Sequence, residues 1–335
     1  KTNTLDALQK LARYHRLRFN IPVVSITGSN GKTTTKDIVA SLLKEKFNVL
    51  KTIDNQNNEI GLPLTLLNIN EEHDIVVVEF GMRGKGQIKE LAEIAIPNMA
   101  IITNVGDTHI ELLGSKKNIA SAKSELVKAV NKDGIVFLNA DNEFVKEMSK
   151  KTKAKTILFG INSEEVDFKA KNIVYNTEML HTSFDIKTKT ETFNITIPFL
   201  GIHNVYNALA AISLTKKLNL DNNDIQRGFS KDINQTKMRQ EISKQGTITI
   251  INDTYNASPA SMKAALETLS LLNKNRKIAI LGDMLELGKD SIKYHQEIGA
   301  SIYKNNIDIL ITLGYLAENI AQKANSLGLK NVYKC

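Results

Sequence analysis

The chain has 335 residues, 42% hydrophobic and 24% charged, which indicates a globular protein of at least two domains. No apolar run reaches the roughly 18 residues of a membrane span, and no secretory signal is evident. The lone cysteine, Cys335, excludes an intrachain disulfide. We therefore expect a cytoplasmic protein. The net charge of +8 comes from dispersed lysines, which indicates solvated surface rather than a nucleic-acid interface and also suits an anionic substrate.

The opening segment, KTNTLDALQKLARYHRLRF, has the spacing of an amphipathic helix that precedes the first strand. We interpret residues 1–20 as the tail of a missing N-terminal domain or as an interdomain helix.

Apolar, β-branched runs then alternate with helical segments. Such runs are apolar throughout, which is typical of a parallel sheet covered by helices on both faces. Residues 167–198 instead alternate, as in HTSFDIK and ETFNITI, and predict an antiparallel addition to that sheet. The predicted parallel strands are 23–27, 74–80, 99–103, 134–139 and 156–159.

A polar, lysine-rich stretch at 219–237 is interpreted as a linker, after which a second α/β pattern begins. Its predicted strands are 247–251, 277–281 and 307–313, and its predicted helices are 259–272 and 292–305. The chain ends where a further strand and helix would be expected, so we expect the C-terminal domain to be truncated. We predict domains at 21–236 and 237–335.

TGSNGKTT links the first strand to a helix and has the composition of a phosphate-binding loop. Backbone N–H groups at a helix N-terminus favour an anion, and glycines allow its close approach. Lys32 would reach the phosphates and Thr33 would ligate Mg²⁺, so we predict ATP binding. The loop is shorter than the common form, because Ile26 stands where its first glycine would be. The alternative is a plain glycine turn before a helix.

Three groups near strand ends suggest a metal site beside the loop. Glu79 ends the second strand, at the sheet edge where nucleotides bind, and is otherwise a surface charge or a helix cap. His109 follows the third strand and is otherwise an exposed loop residue. Lys123 lies among small residues in NIASAKSELVKAV, although a surface lysine is the usual reading.

Together these motifs resemble the Mur ligase family of ATP-dependent, peptide-bond-forming enzymes. The resemblance rests on TGSNGKTT, Glu79, His109, Lys123, HNVYNALAA, Arg239 and NDTYNASPASM, and it covers most of the chain. The stretches ALQKLARYHRLRF, NQNNEIGLPLTLL and ILGDMLELG are most similar to the member that joins D-alanyl-D-alanine to UDP-N-acetylmuramoyl-tripeptide in peptidoglycan precursor synthesis.

The resemblance implies a fold, a mechanism and a set of site residues. The fold is α/β, with a central P-loop parallel-sheet ATPase domain followed by a Rossmann-like C-terminal α/β domain, and the missing N-terminal domain would bind the UDP group. ATP phosphorylates a carboxylate, and an amine then attacks the acyl phosphate. Lys123 matches a lysine that members carbamylate, and we expect a monomer.

The implied site residues fall into four groups. Catalytic residues are Lys32, His109 and Lys123. Thr33 and Glu79 hold one Mg²⁺ and His109 holds a second, with carbamylated Lys123 as a further metal ligand. ATP is bound by Gly28, Ser29, Asn30, Gly31, Lys32, Thr33, Thr34, Asn204, Asn207, Arg239 and Asp253, with His203 covering the adenine ring. Substrate is bound by Asn57, Asn58, Glu59, Tyr255 and Asn256.

Two other functions stay open at this point. One is another amide ligase of the same superfamily, of the folylpolyglutamate or cyanophycin type. The other is a nucleotide-binding module without ligase activity, against which the paired metal-site candidates argue. Without the resemblance, Asn204 and Asn207 would be read as a helix cap and a surface residue.

Overall fold

The computed structural model describes residues 3–231, 233 and 237–335. The strands are β1 Val23–Thr27, β2 Val49–Lys51, β3 Ile75–Glu79, β4 Met99–Ile102, β5 Ile135–Asn139, β6 Lys155–Gly160, β7 Phe168–Asn176, β8 His181–Lys187, β9 Thr192–Ile197, β10 Glu241–Gln245, β11 Ile248–Asn252, β12 Ile278–Gly282, β13 Ile309–Leu313 and β14 Val332–Lys334.

The helices lie between and around these strands. They are α1 Thr4–Leu17, α2 Lys32–Leu43, α3 Gly61–Leu67, α4 Gln87–Ala95, α5 Ile110–Leu113, α6 Lys116–Ala129, α7 Glu143–Lys146, α8 Ile202–Lys217, α9 Asn222–Ser230, α10 Pro259–Leu271, α11 Ser291–Lys304 and α12 Glu318–Ser326, with 3-10 turns at Glu147–Lys151 and Gly288–Asp290. No helix within the described residues is long and apolar enough to cross a membrane.

A nine-stranded sheet forms the centre of the molecule, in the order β2-β3-β1-β4-β5-β6-β7-β8-β9. Strands β1 to β7 pair in parallel, and β8 and β9 extend the sheet as antiparallel strands. This arrangement confirms the α/β prediction and the antiparallel addition. Because β3 and β4 flank β1, their carboxyl ends and the phosphate loop lie at one edge of the sheet.

Both faces of this sheet are covered, which explains the uninterrupted apolar runs. Alternate residues of β1 point to opposite sides, so Val24 and Ile26 pack in one buried cluster with α2 and α8. Val23 packs in the other cluster, with α3, α4 and α6. Full burial of each such side chain contributes about 1.5–3 kcal/mol, so both faces anchor the strand that carries the loop.

Helix α1 packs against α3 and α4 beneath the second cluster. Its Ala12 is fully buried, and the buried Arg16 donates to the carbonyl oxygens of Phe19 (2.7 Å), Ile21 (2.8 Å) and Ala95 (3.2 Å). The first two residues of the 1–20 segment lie outside the described residues, and the origin of this segment stays a prediction.

The linker interpretation is wrong for residues 222–230, which form helix α9. Asp221 and Asp224 make a reciprocal capping box at its start, and Ile225 and Phe229 are buried. Capping and two apolar side chains one turn apart outweigh the polar composition of the stretch. The predicted boundary at residue 236 lies outside the described residues, so the domain limits stay a prediction.

The C-terminal part has its own parallel sheet, in the order β12-β13-β14. Helices α10, α11 and α12 pack on this sheet in a third buried cluster, which includes Leu266 and Ile298 of the helices and Leu310 of β13. The strand predicted at 247–251 forms as β11, but it pairs with β10 in a two-stranded antiparallel sheet rather than with β12.

Candidate active site

The phosphate loop joins β1 to α2 by a left-handed turn. Gly31 precedes the helix with φ of 77° and no side-chain cap, so the first N–H groups of α2 are open to a ligand. Lys32 folds back over the loop, and its Nζ donates to the carbonyl oxygens of Gly28 (3.0 Å) and Ser29 (3.4 Å). Burial lowers the pKa of Lys32, and the nearby Glu79 charge opposes that shift.

The segment after β4 fixes the shape of this loop. Asn104 Oδ1 accepts from the Asn30 N–H (3.0 Å), and Asn104 Nδ2 donates to the Asn30 carbonyl (3.0 Å). The Thr103 hydroxyl donates to that same carbonyl (2.7 Å). Gly28 lies so close that an added Cβ would be 1.8 Å from Thr103 Oγ1. The glycine is therefore required by packing beneath the loop.

Glu79 ends β3 beside the loop and is only 1% exposed. Its Oε1 accepts from Asn57 Nδ2 (2.7 Å), but its Oε2 is buried without a hydrogen-bond partner among the described residues. A buried carboxylate oxygen without a partner is costly unless a cation or donor meets it. This orphaned oxygen fits a Mg²⁺ ligand.

Lys123 lies on α6 and is 2% exposed. It makes no hydrogen bond or ion pair within residues 3–231, 233 and 237–335. Burial lowers the pKa of Lys123 well below its ordinary value, and the charge of Lys32 lowers it further. An ammonium group is thus strongly disfavoured at this position, which suits a neutral amine or a modified lysine.

His109 immediately precedes α5 and has a left-handed backbone, with φ of 64°. Its Nδ1 contacts the carboxylate of Glu286, which comes from the C-terminal part. Burial lowers the pKa of His109, and Glu286 opposes that shift.

The four predicted metal-site residues, Thr33, Glu79, His109 and Lys123, line one cavity of about 1120 Å³. The described residues contain no group of three or more His, Cys, Asp or Glu side chains placed to hold a metal. Glu79 and His109 alone are too few, so a metal here needs oxygens from Thr33, a ligand or a modified Lys123. The orphaned Glu79 oxygen and the unpartnered Lys123 fit such a group.

Helix α8 supplies the residues predicted to contact adenine. Asn204 Nδ2 donates to the Leu200 carbonyl (2.9 Å), and Asn207 Nδ2 donates to Asn204 Oδ1 (3.3 Å). Asn207 Oδ1 also accepts from the Thr35 hydroxyl (3.3 Å), which ties α8 to the phosphate-loop helix. Burial lowers the pKa of His203 to about 4, so this ring is neutral near pH 7.

The C-terminal part closes the opposite side of the cavity. The Arg239 guanidinium lies 3.9 Å from the centre of the Tyr255 ring, and its buried Nε has no hydrogen-bond partner in the part of the chain that the structure describes. Burial raises the pKa of Asp253 to about 6, although the Gln240 N–H donates to it (3.1 Å). The Ser258 hydroxyl donates to Asn30 Oδ1 (3.1 Å), so it touches the phosphate loop directly.

The predicted substrate residues lie along the rim of the same cavity, and some have structural partners. Asn57 holds Glu79, while Asn58 Oδ1 accepts from the N–H groups of Ile60 (3.1 Å) and Gly61 (2.8 Å) at the start of α3. All predicted site residues except Gly28 line the cavity, and Gly28 lies behind the loop.

Two groups were missed by the sequence analysis: Asp141, which lines the cavity, and Glu286, which contacts His109. Asp141 accepts from the N–H groups of residues 161–163 and from the Tyr206 hydroxyl (2.8 Å), which lowers its pKa to about 2. The available signal was the position of Asp141, two residues after the end of β5. The other group is Glu286, whose place in ILGDMLELG gave no sign of its partner.

Comparison with known proteins gives matches over most of the chain. Residues 26–215 match the Mur ligase middle domain, and residues 238–335 match the Mur ligase glutamate ligase domain. A Bacillus subtilis protein named UDP-N-acetylmuramoyl-tripeptide--D-alanyl-D-alanine ligase is 41% identical over 324 residues, which cover 96% of this chain and 69% of that protein. The Escherichia coli protein of that name is 32% identical, with 93% and 69% covered.

Solved structures match the fold as well. MurF from Acinetobacter baumannii superposes with a TM-score of 0.91 at 30% identity, covering 99% of this chain and 72% of that one. MurF ligase from Thermotoga maritima in complex with ADP gives 0.85 at 29% identity, covering 100% and 80%. The chain thus spans about 69% of the curated relatives' length.

Proposed function

The chain belongs to the Mur ligase family, and we propose that it is the ATP-dependent ligase that joins D-alanyl-D-alanine to UDP-N-acetylmuramoyl-tripeptide in peptidoglycan precursor synthesis. The relatives that carry this name support the substrate pair. The observation that carries the proposal is one cavity that joins the phosphate loop, the orphaned Glu79 oxygen and Lys123 to Arg239 and Asp253 of the C-terminal part.

The proposed reaction has two steps. A carboxylate oxygen of the tripeptide attacks the γ-phosphorus of ATP, the bond to the β-phosphate oxygen breaks, and ADP leaves. The amine of D-alanyl-D-alanine then attacks the acyl carbon, phosphate leaves with the bond electrons, and the amine loses a proton. Alignment and charge neutralisation drive both steps, since no protein nucleophile is needed.

ATP use follows from family membership, and the relative solved with ADP agrees with it. We assign the phosphates to the N–H groups of the loop and to Lys32, whose ammonium would approach the developing negative charge. The adenine is assigned to Asn204 and Asn207, beside the neutral ring of His203. Arg239 and Asp253 would meet the nucleotide from the C-terminal part.

Mg²⁺ is assigned to two positions, one held by Thr33 and Glu79 and the other by His109, with a carbamylated Lys123 as a further ligand. When bound, it would neutralise phosphate charge and polarise the reacting oxygens. Lys123 is suited to carbamylation because its lowered pKa favours the neutral amine, whose lone pair attacks CO₂ with loss of one proton. The product is an anion, which removes the cost of a buried ammonium beside Lys32.

The substrates would enter from two sides. The UDP-linked tripeptide is assigned to Asn57, Asn58 and Glu59, and the amino substrate to Tyr255 and Asn256. We also propose that the protein acts as a monomer in the cytoplasm, where its nucleotide-linked substrates are made.

The test is product formation with defined acceptors. Incubation with ATP, Mg²⁺, UDP-N-acetylmuramoyl-tripeptide and D-alanyl-D-alanine should give the pentapeptide with one phosphate per bond, as measured by mass spectrometry and phosphate release. Ligation of glutamate or aspartate instead would support another amide ligase. ATP binding without acceptor-dependent phosphate release would support a non-catalytic module.

A further inference from the structure

One loop of the C-terminal part, residues 283–288, reaches across to the metal-site side of the cavity. The Glu286 carboxylate contacts His109 Nδ1, and the Glu286 carbonyl accepts from the Glu111 N–H (3.2 Å). Nearby, the Tyr294 hydroxyl donates to Asp107 Oδ1 (2.8 Å). Three contacts therefore join the C-terminal part to the segment that carries His109.

The 283–288 loop is held firmly by its own domain. Asp283 Oδ1 accepts from the Ala317 N–H (2.7 Å), and the Met284 N–H donates to Nε2 of the buried His295 (3.0 Å). Met284 and Leu287 are buried, whereas Glu286 projects with a left-handed backbone, φ of 60°. Anchors on both sides thus fix the direction in which the carboxylate points.

The contact decides which nitrogen of His109 is available to a ligand. Because Nδ1 contacts Glu286, the ring nitrogen left without a hydrogen bond to any described residue is Nε2, and His109 lines the cavity. Metal-binding histidines commonly donate their second N–H to a carboxylate, which sets the ring orientation and raises the basicity of the ligating nitrogen. The left-handed backbone at both residues is a strained conformation of the kind that gathers at functional sites.

We propose that Glu286 is a positioning residue that orients His109 toward the cavity, so that the metal site is complete only when the C-terminal part is closed over it. This inference rests on the proposed function. It links closure of the two parts to assembly of the site, because the orienting carboxylate and the histidine it orients are 177 residues apart in the chain.

The alternative is an ordinary ion pair between two parts of the surface. Glu297 offers a matched control, since its side chain is 38% exposed, as is that of Glu286, and it pairs with Lys263 (2.8 Å) away from the cavity. Glu286→Ala removes the orienting acceptor. Glu286→Gln keeps an acceptor oxygen for the histidine N–H without the charge.

The experiment measures Mn²⁺ binding by electron paramagnetic resonance in the presence of a non-hydrolysable ATP analogue, together with kcat and KM for ATP in the ligase assay. We expect wild type to bind two Mn²⁺ ions, and Glu286→Ala to bind the second ion, the one assigned to His109, about 10- to 100-fold less tightly. The kcat of Glu286→Ala should fall while its KM for ATP changes little. Glu286→Gln should recover part of the Mn²⁺ affinity and part of kcat, and Glu297→Ala should match wild type.

Two results would overturn the inference: Mn²⁺ binding by Glu286→Ala as tight as that of Glu297→Ala, or wild type that binds a single Mn²⁺. Circular dichroism establishes that each variant is folded. The binding measurement does not depend on the acceptor substrate. If Glu286→Ala weakens Mn²⁺ binding but wild type forms no ligation product, only the proposed function is refuted. Normal ligation without that effect would refute the inference alone.

Discussion

Replacement of Gly28 by Ala is expected to destabilise the protein through one identifiable collision. The new Cβ would lie 1.8 Å from Thr103 Oγ1 and 3.2 Å from the Asn104 backbone nitrogen. The hydroxyl must rotate away and loses its bond to the Asn30 carbonyl, which costs about 1 kcal/mol, and overpacking adds about 1–3 kcal/mol. We therefore expect a loss of about 2–4 kcal/mol.

A double-mutant cycle separates the collision from other effects. Thr103→Ala alone should cost about 1 kcal/mol, because it removes one hydrogen bond. In Gly28→Ala/Thr103→Ala the closest contacts relax to 3.1 Å and 3.2 Å. The double variant should thus be about 2 kcal/mol more stable than the sum of the single changes predicts.

Urea unfolding without nucleotide measures these differences, and Gly84→Ala is the matched control. An added Cβ at Gly84 meets nothing closer than 3.9 Å, so that change should stay within about 0.5 kcal/mol of wild type. ATP should also bind Gly28→Ala about tenfold more weakly, which corresponds to a loss of about 1.4 kcal/mol of binding free energy when the phosphate loop is displaced. Additive effects in the cycle, or equal stability of the two Gly→Ala variants, would refute the packing argument.

Three further changes have defined outcomes. Lys123→Ala should lower ligase turnover by at least about 100-fold and regain part of it with added short carboxylates, whereas full activity would exclude a metal-ligand role. Burial raises the pKa of Asp253 to about 6, so wild type loses stability as pH rises from about 4 through 6. In urea unfolding, Asp253→Asn should therefore be about 1–2 kcal/mol more stable than wild type at pH 8 but no more stable at pH 4. An equal difference at both pH values would contradict this. The Gln226 side chain bonds both the N–H and the carbonyl of Thr196 on edge strand β9 (3.0 Å each). Gln226→Ala should therefore lower the free energy of unfolding by about 1–2 kcal/mol and, by exposing the edge strand to aggregation, raise light scattering on storage. An unchanged unfolding midpoint would contradict this.

The sequence predicted the central sheet well because its strands are buried on both faces. Val23 to Thr27 are all buried, and apolar residues serve both faces, Val24 and Ile26 on one and Val23 on the other. Strand β2 was missed because Val49–Lys51 is too short to show a period, and it exists through pairing with β3. Helix α9 was missed because its polar composition hides two buried side chains.

The site could be predicted only where one segment carries the chemistry. The phosphate loop is contiguous, so its glycines, Lys32 and Thr33 follow from local spacing. The Glu286 contact joins residues 177 positions apart, and no local pattern marks such a pair. The three backbone donors to Asp141 are equally invisible, because every residue other than proline carries the same N–H group.

The most direct test of the account follows oxygen from the acceptor carboxylate. UDP-N-acetylmuramoyl-tripeptide labelled with ¹⁸O in that carboxylate is incubated with ATP, Mg²⁺ and D-alanyl-D-alanine, and the released phosphate is examined by ³¹P NMR. An acyl-phosphate route predicts one ¹⁸O atom in each phosphate, in step with pentapeptide formed. Unlabelled phosphate would mean that water attacks ATP, and would contradict the proposed ligase reaction.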